Sequence, residues 1–431
     1  MSWAYRILFP LLLIPALPYY FWRMLRRGGY ASGFSQRLGF FPEVGPKTHG
    51  KRRFWIQAVS VGEIEAIGPL LRLLKATGTA EIVLTTTTST GYRLAQARYA
   101  DVADRIGIFP ADLWPCSALA WRRIRPDAVI LVEGELWPEH LAQARAHGVP
   151  AYLINGRLSD KSFARHRRFR KLSAYVLGHF QRIAAGSEED VRRFRELGFQ
   201  ATLTGNIKFD VAGDAPMGAE ERARLRVDLG FGADPRTVVL LGSSTWKGEE
   251  SLLIRHVRAL RSAGQDVRLL LVPRHSERRA EVAAEASASG LAWHQRSTGG
   301  AVAPADTVIH LADTTGELRR LTRAADLAFC GKSLAPHEGG QTPIECAAAG
   351  VPIVYGPRMS NFRDICRGLE QAGAAFRAPD ADGLRAKLAE FCADGTARQE
   401  MGRRGADWHQ GNRGATERTL ALLLAGVQPT R

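Results

Sequence analysis

Between Gly331 and Glu345, glycines, a threonine and a glutamate stand in an order suited to holding a nucleotide: Gly331-Lys332-Ser333-Leu334-Ala335-Pro336-His337-Glu338-Gly339-Gly340-Gln341-Thr342-Pro343-Ile344-Glu345. The pattern predicts a glycine-rich loop, then a short helix capped by Thr342 with Pro343 at its first position. Gly350 closes the helix, and Val351 to Tyr355 reads as a buried strand. Backbone N–H groups at a helix start favour an anion, and glycines let a phosphate approach closely. Glu345, three residues into the helix, can reach the hydroxyls of a ribose. Thr342 and Glu345 also satisfy the spacing of a plain capping box, a purely structural device.

A loop of this kind is how two-domain nucleotide-sugar glycosyltransferases hold their donor, so glycosyl transfer is the first reading. The other chemistry-bearing residues fit it. Ala58-Val59-Ser60-Val61-Gly62-Glu63 ends a strand and opens a helix, which places Ser60 and Glu63 at the mouth of a sheet. A carboxylate there can take a proton from an acceptor hydroxyl, the role of a general base. Ser60 and Glu63 again have capping-box spacing. Glu133-Gly134-Glu135-Leu136-Trp137-Pro138 follows a strand, where its carboxylates could position substrate or simply precede a helix started by Pro138. Thr85 to Thr90 form a hydroxyl cluster ahead of Gly91, and Thr86 and Thr87 could bond an anionic or sugar ligand beyond what capping needs. Gly242-Ser243-Ser244-Thr245 makes a small-residue turn suited to phosphate, and Arg274 in Val272-Pro273-Arg274-His275 offers a guanidinium fork. Asp380-Ala381-Asp382 lies in a polar stretch without strand context and reads as surface, so no metal site is assigned.

The elements that must position these residues alternate. Strands are predicted at Phe54 to Val59, Glu81 to Thr86, Ala128 to Val132, Ala151 to Ile154 and Arg182 to Ala185, with helices at Glu63 to Ala76, Gly91 to Tyr99 and Pro138 to His147. Further strands follow at Thr237 to Leu241, Val267 to Val272, Thr307 to Leu311, Leu327 to Cys330 and Pro352 to Tyr355. Such alternation implies parallel sheets with helices on both faces. The polar stretch Asp210 to Gly218 divides them into two doubly wound, Rossmann-like domains, residues 34–212 for the acceptor and 213–431 for the nucleotide sugar. Two such domains facing a cleft would present the carboxyl ends of both sets of strands to it.

The chain's 431 residues are enough for two cores. Its formal charge of +16 favours polyanions, anionic lipid or phosphorylated substrates. Arginine is dispersed rather than clustered and no zinc-finger or RNA-recognition pattern occurs, so nucleic acid is the weaker reading. Five widely spaced cysteines without a CxxC pair fit a reducing compartment. Residues 1–33 carry the apolar run Ile7 to Trp22, interrupted by Pro10, Pro15 and Pro18 and followed by Arg23, Arg26 and Arg27. The run is shorter than the ~20 residues of a straight span, its prolines oppose a regular helix, and aromatic Tyr19 to Trp22 beside arginines suit a headgroup interface. It is read as an uncleaved membrane anchor, the alternative being an arm packed on the domain.

Taken in order, these pieces resemble the 3-deoxy-D-manno-octulosonic acid (Kdo) transferases. The likeness runs through Arg37-Leu38-Gly39, the Ser60 to Glu63 block, Glu133 to Pro138, Asn155 with Arg157-Leu158-Ser159, Ser187 to Asp190, and Thr204 to Asp210. It continues in Pro273-Arg274-His275, Ser333-Leu334, Gly339-Gly340 with Pro343 and Glu345, Gly356-Pro357 and Asn361-Phe362. The resemblance implies a two-domain GT-B fold and an inverting transfer of Kdo from CMP-Kdo to lipid A precursor (lipid IVA), with no metal and no cofactor beyond the donor. It implies Glu63 as base; Ser60, Gly62, Thr86, Thr87, Glu133, Glu135 and Lys208 on the acceptor side; and Ser243, Arg274, Gly339, Gly340, Thr342 and Glu345 around CMP. It places the chain at the bacterial inner membrane with its domains on the cytoplasmic side, in contact with membrane lipids and not with nucleic acid. The chain departs from the family pattern at Gln57, Gly134, Lys332, Gln341, Thr342 and Cys346, where His, Thr, Gly, His, Asn and Pro are usual. A relative with another glycolipid or polysaccharide acceptor, or a catalytically silent binder of a sugar nucleotide or glycolipid, are the competing readings.

Overall fold

The computed structural model describes residues 2–13, 15, 18, 33–211 and 217–426. Tyr19 to Trp22, the arginines at 23, 26 and 27, and the middle of the Asp210 to Gly218 stretch fall outside them. Two seven-stranded sheets, parallel throughout, account for every strand among the described residues.

The first unit contains β1 (Arg52–Gln57), β2 (Ala80–Thr86), β3 (Arg105–Ile108), β4 (Ala128–Val132), β5 (Ala151–Gly156), β6 (Phe180–Ala185) and β7 (Thr202–Leu203), in the order β3-β2-β1-β4-β5-β6-β7. β2 and β4 are buried along their whole length, as expected of parallel strands covered by helices on both faces. The helix Val61–Ala76 shows why this sequence packs as it does: Ile64, Ile67, Leu70, Leu71 and Leu74 recur at helical spacing and are all buried. Truncating one of these leucines to alanine would cost about 2–5 kcal/mol, so the start of this helix is firmly placed.

The second unit contains β8 (Val238–Thr245), β9 (Val267–Pro273), β10 (Trp293–Gln295), β11 (Ile309–Leu311), β12 (Leu327–Cys330), β13 (Ile353–Tyr355) and β14 (Ala375–Arg377), in the order β10-β11-β9-β8-β12-β13-β14. In both sheets the chain starts in the middle and builds toward both edges, with β11 inserted between β9 and the edge strand β10 in the second. The reversal lies between β1 and β4 in the first and between β8 and β12 in the second. Open α/β sheets bind ligands beyond the strand carboxyl ends at such a point.

Two expectations are corrected. The last helix, Ala415–Gly426, belongs to the first unit and not to a second domain running to residue 431. Ala415 and Leu423 enter the core formed by Ile64, Ile67 and Leu70, and the Asp210 carboxylate accepts from the N–H groups of Gly414 (2.7 Å) and Thr416 (2.6 Å). Residues 2–13 are helical despite Pro10, which costs one backbone hydrogen bond. This helix is tied to the first unit by Tyr5, whose hydroxyl donates to Asp112 (2.8 Å), and by Arg6, which forms a fork on Glu139 (2.8 Å for each bond). Ile7, Leu8 and Leu11 remain exposed. No helix among the described residues is long and apolar enough to cross a membrane.

Candidate active site

In the first unit, Glu63 follows β1 and Glu133 follows β4, so the two flank the point where the sheet order reverses. Ser60 caps the helix: its Oγ accepts the Glu63 N–H (3.3 Å) and donates to Glu63 Oε1 (2.9 Å), while Val59 N–H donates to Oε2 (2.8 Å). The Ser60 cap is therefore real, with Glu63 reaching back to the Val59 N–H instead of the Ser60 N–H of a strict capping box, and these bonds also fix the direction of the carboxylate. Gly62 beside it is exposed, with open space where a Cβ would stand. Burial pushes Glu63 above the usual carboxylate range, helped by the Glu133 charge and opposed by the Val59 N–H, the Ser60 hydroxyl and Lys208.

Glu133 and Asn155, at the ends of β4 and β5, both hold left-handed backbone, with φ of 60° and 49°. Non-glycine residues in this region carry strain of about 1–3 kcal/mol each, and such strain gathers at functional sites. Glu133 is ion-paired with Lys208, lies 3.7 Å from Arg157 and accepts from Asn155 Nδ2 at 3.5 Å. Asn155 Oδ1 in turn accepts the Ile207 N–H (3.2 Å), and Asn206 Oδ1 accepts the Lys208 N–H (3.0 Å), which sets the loop that delivers Lys208. Glu135 is pushed up to about 7 by burial and by the charges of Glu63 and Glu133. The three carboxylates thus feel one another, and Lys208 and Arg157 supply the counter-charge.

The hydroxyl cluster divides in two. Thr86 and Thr88 donate to the Val59 carbonyl (2.9 and 3.1 Å), and Thr88 caps its helix through Gly91 N–H (3.1 Å). Thr85 donates to Gln57 Oε1 (2.7 Å) within the sheet. Thr86 is thereby a support for the Val59–Glu63 turn, and Thr87 lies half-buried with its carbonyl bonded by Arg37.

In the second unit, Ser243 is buried near the end of β8, and its carbonyl accepts the Gly331 N–H (2.9 Å). A Cβ at Gly331 would lie 2.4 Å from the Ser244 carbonyl oxygen, so only glycine fits there. Arg274, after β9, is exposed and makes no ion pair among the described residues. Gly339 and Gly340 have φ of 103° and 71° and press on Asn361 and Met359, reason enough for glycine even without a ligand. The short helix spans Ile344–Ala348, with Pro343 just before it. Thr342 Oγ1 accepts the Ile344 N–H (3.3 Å), so the capping box expected between Thr342 and Glu345 is not the bond formed. Glu345 sits half-buried in the first turn.

A further carboxylate, Glu249, has no mark in the sequence. Its buried carboxylate accepts the backbone N–H groups of Trp246 (2.9 Å), Lys332 (2.8 Å), Ser333 (3.0 Å) and Leu334 (3.4 Å). It therefore locks the turn after β12 to the turn after β8. An acid at a helix start is ordinary in sequence, and nothing local ties it to residues more than eighty positions away. Among the described residues no group of acidic, histidine or cysteine side chains could hold a metal ion.

Residues 32–211 match the family model described as 3-deoxy-D-manno-octulosonic-acid transferase (Kdo transferase). The chain is 35% identical over 428 residues to the 3-deoxy-D-manno-octulosonic acid transferase of Bordetella pertussis, covering 95% of this chain and 96% of that one. It is 30% identical to the enzyme of the same name from Haemophilus influenzae, over 91% of both chains. Among solved structures, the UDP-GlcNAc 2-epimerase of Neisseria meningitidis aligns with a TM-score of 0.58 at 12% identity, covering 86% of this chain and all of that one. At that identity the likeness concerns the fold alone, two parallel-sheet α/β domains of GT-B type.

Proposed function

Because the chain belongs to the Kdo transferases, glycosyltransferases of lipopolysaccharide biosynthesis, we propose that it moves Kdo from CMP-Kdo to a lipid A precursor with Glu63 as the base. The observation that carries this reading is the Glu63 carboxylate, aimed by Ser60 and Val59 beside the reversal of the first sheet. In the proposed reaction Glu63 takes the proton of an acceptor sugar hydroxyl as that oxygen attacks the anomeric carbon of Kdo. The bond from that carbon to the phosphate oxygen breaks, CMP leaves, and the configuration inverts. Glu133, held by Lys208 and Arg157, and Glu135 would orient the acceptor. Ser243, Arg274, Gly339, Gly340, Thr342 and Glu345 would hold the donor, with Arg274 stabilising charge on the departing phosphate. The mechanism calls for no metal.

A position at the cytoplasmic face of the inner membrane is part of the proposal. The exposed Ile7, Leu8 and Leu11, together with Trp114, Phe169 and Leu172 on a chain of +16 charge, support contact with an anionic leaflet.

The test is incubation of the protein with CMP-Kdo and tetraacylated lipid A precursor, followed by mass spectrometry. A gain of one or more Kdo units supports the proposal. CMP binding without any product would direct attention to another acceptor or to a purely binding role.

A further inference from the structure

Lys332 is held in a conformation that a lysine does not favour. Its φ is 59°, left-handed backbone that glycine would adopt at no steric cost. The turn leaves it no alternative. Glu249 accepts its N–H (2.8 Å), its carbonyl accepts the Gly340 N–H (3.1 Å), and its neighbour Gly331 is pressed on Ser244. The lysine stands at the carboxyl end of β12, directly across the sheet reversal from Trp246 at the end of β8. Its Nζ lies 4.5 Å from the centroid of the Trp246 ring, bridging the crevice where open α/β sheets bind ligands.

The surroundings are short of free carboxylate. Lys332 has no carboxylate in ion-pair range among the described residues, and neither has Arg274 on the turn after β9. The rings of His275 and His337 lie 5.0 and 5.4 Å from that of Trp246. Glu249, the carboxylate within the turn, is engaged by four backbone N–H groups, and Glu338 is paired with Arg358. Thr245 Oγ1, fully buried at the same strand end, has no hydrogen-bond partner among the described residues.

We propose that Lys332 is a donor-binding residue whose ammonium, placed by the strained turn and the Trp246 ring, contacts an anionic group of the sugar nucleotide. That group is either the phosphate or the carboxylate of the sugar acid. The inference rests on the reading of the second unit as the donor site.

The experiment uses the full-length protein and its Lys332→Gly and Lys332→Arg variants. Lys332→Gly suits the backbone, so its thermal midpoint should equal or exceed that of the wild type. Calorimetry with CMP and cytidine, and the KM for CMP-Kdo, then read the site. An ammonium–phosphate bond is worth about tenfold in affinity. If Lys332 holds the phosphate, Lys332→Gly weakens CMP about tenfold, leaves cytidine unchanged and reduces the salt dependence, and Lys332→Arg retains part of the affinity. If it holds the sugar carboxylate, CMP binding is unchanged while the KM for CMP-Kdo rises by a similar factor. Unchanged CMP binding together with unchanged KM overturns the inference while leaving the donor reading intact. A wild-type protein that binds neither CMP nor CMP-Kdo removes the donor reading and this inference with it.

Discussion

Lys208 is ion-paired with Glu133, and the two act in opposite senses on Glu63, whose carboxyl is raised first of all by burial. Glu133 raises the proton affinity of Glu63, whereas Lys208 lowers it. A base works only when deprotonated, so the acidic limb of kcat/KM should follow Glu63. Lys208→Met should move that limb to higher pH. Glu133→Gln should move it to lower pH, because it removes a repelling charge and frees the ammonium. pH–rate profiles of the two variants check this; shifts in the same direction would contradict it.

Glu135 supplies a stability signature. Its carboxyl is raised from 4.5 in the unfolded reference to about 7 in the folded protein. The folded state therefore binds this proton more tightly. The associated stability is fully present below pH 4.5 and is lost as pH rises through about 7. Relative to wild type, Glu135→Gln should gain ~1–2 kcal/mol between pH 5 and pH 8, solvent screening of a half-buried group included. Urea unfolding at the two pH values measures the difference, which should be absent if Glu135 titrates normally.

Ser60→Ala should separate cap from carboxylate. Loss of the cap costs about 1 kcal/mol of stability. Turnover should fall further than so small a loss explains, because Glu63 Oε1 loses the hydroxyl that orients it. The expected pattern is a thermal midpoint lowered by a few degrees and a kcat reduced about tenfold or more, as for a misplaced reacting group. A full kcat at the lower midpoint would make the box purely structural.

Glu249→Ala would leave four backbone N–H groups of the second unit without their acceptor. A loss of about 3 kcal/mol or more is expected, together with weaker CMP binding as the Lys332 turn loosens. Denaturation midpoints and calorimetry check both effects.

Replacing Ile7, Leu8 and Leu11 by serine should lower sedimentation with anionic vesicles more than tenfold, since each apolar side chain contributes about 1.5 kcal/mol or more on burial. Because Tyr5 and Arg6 hold the helix to the first unit, turnover on a detergent-dispersed acceptor should persist.

The central strands were legible because each is an apolar run long enough to be covered on both faces. Those not anticipated, β3, β7, β10 and β14, are the edges of the two sheets. They are two to four residues long, and both residues of Thr202–Leu203 are exposed, so they carry little of the buried-strand signal. The place of the last helix in the first unit has no local signal, because the link from Asp210 to Thr416 spans more than two hundred residues. The residues at the site show the same limit. Glu63, Glu133 and Arg274 announce themselves beside strand ends, whereas the clamp by Glu249 and the left-handed backbone of Glu133, Asn155 and Lys332 arise from tertiary contacts. In sequence Lys332 is only a departure from a family pattern; its contact with Trp246 is what gives it a place.

The most direct test of the account is the rate of CMP release from CMP-Kdo, with and without lipid A precursor, for the wild type and Glu63→Gln. Calorimetric CMP binding and the thermal midpoint are recorded for both. The wild type should release CMP in an acceptor-dependent way. In Glu63→Gln that release should fall by about 10²–10⁴-fold, with CMP affinity and fold retained. Equal acceptor-dependent release by the two proteins would contradict the assignment of Glu63 as the base.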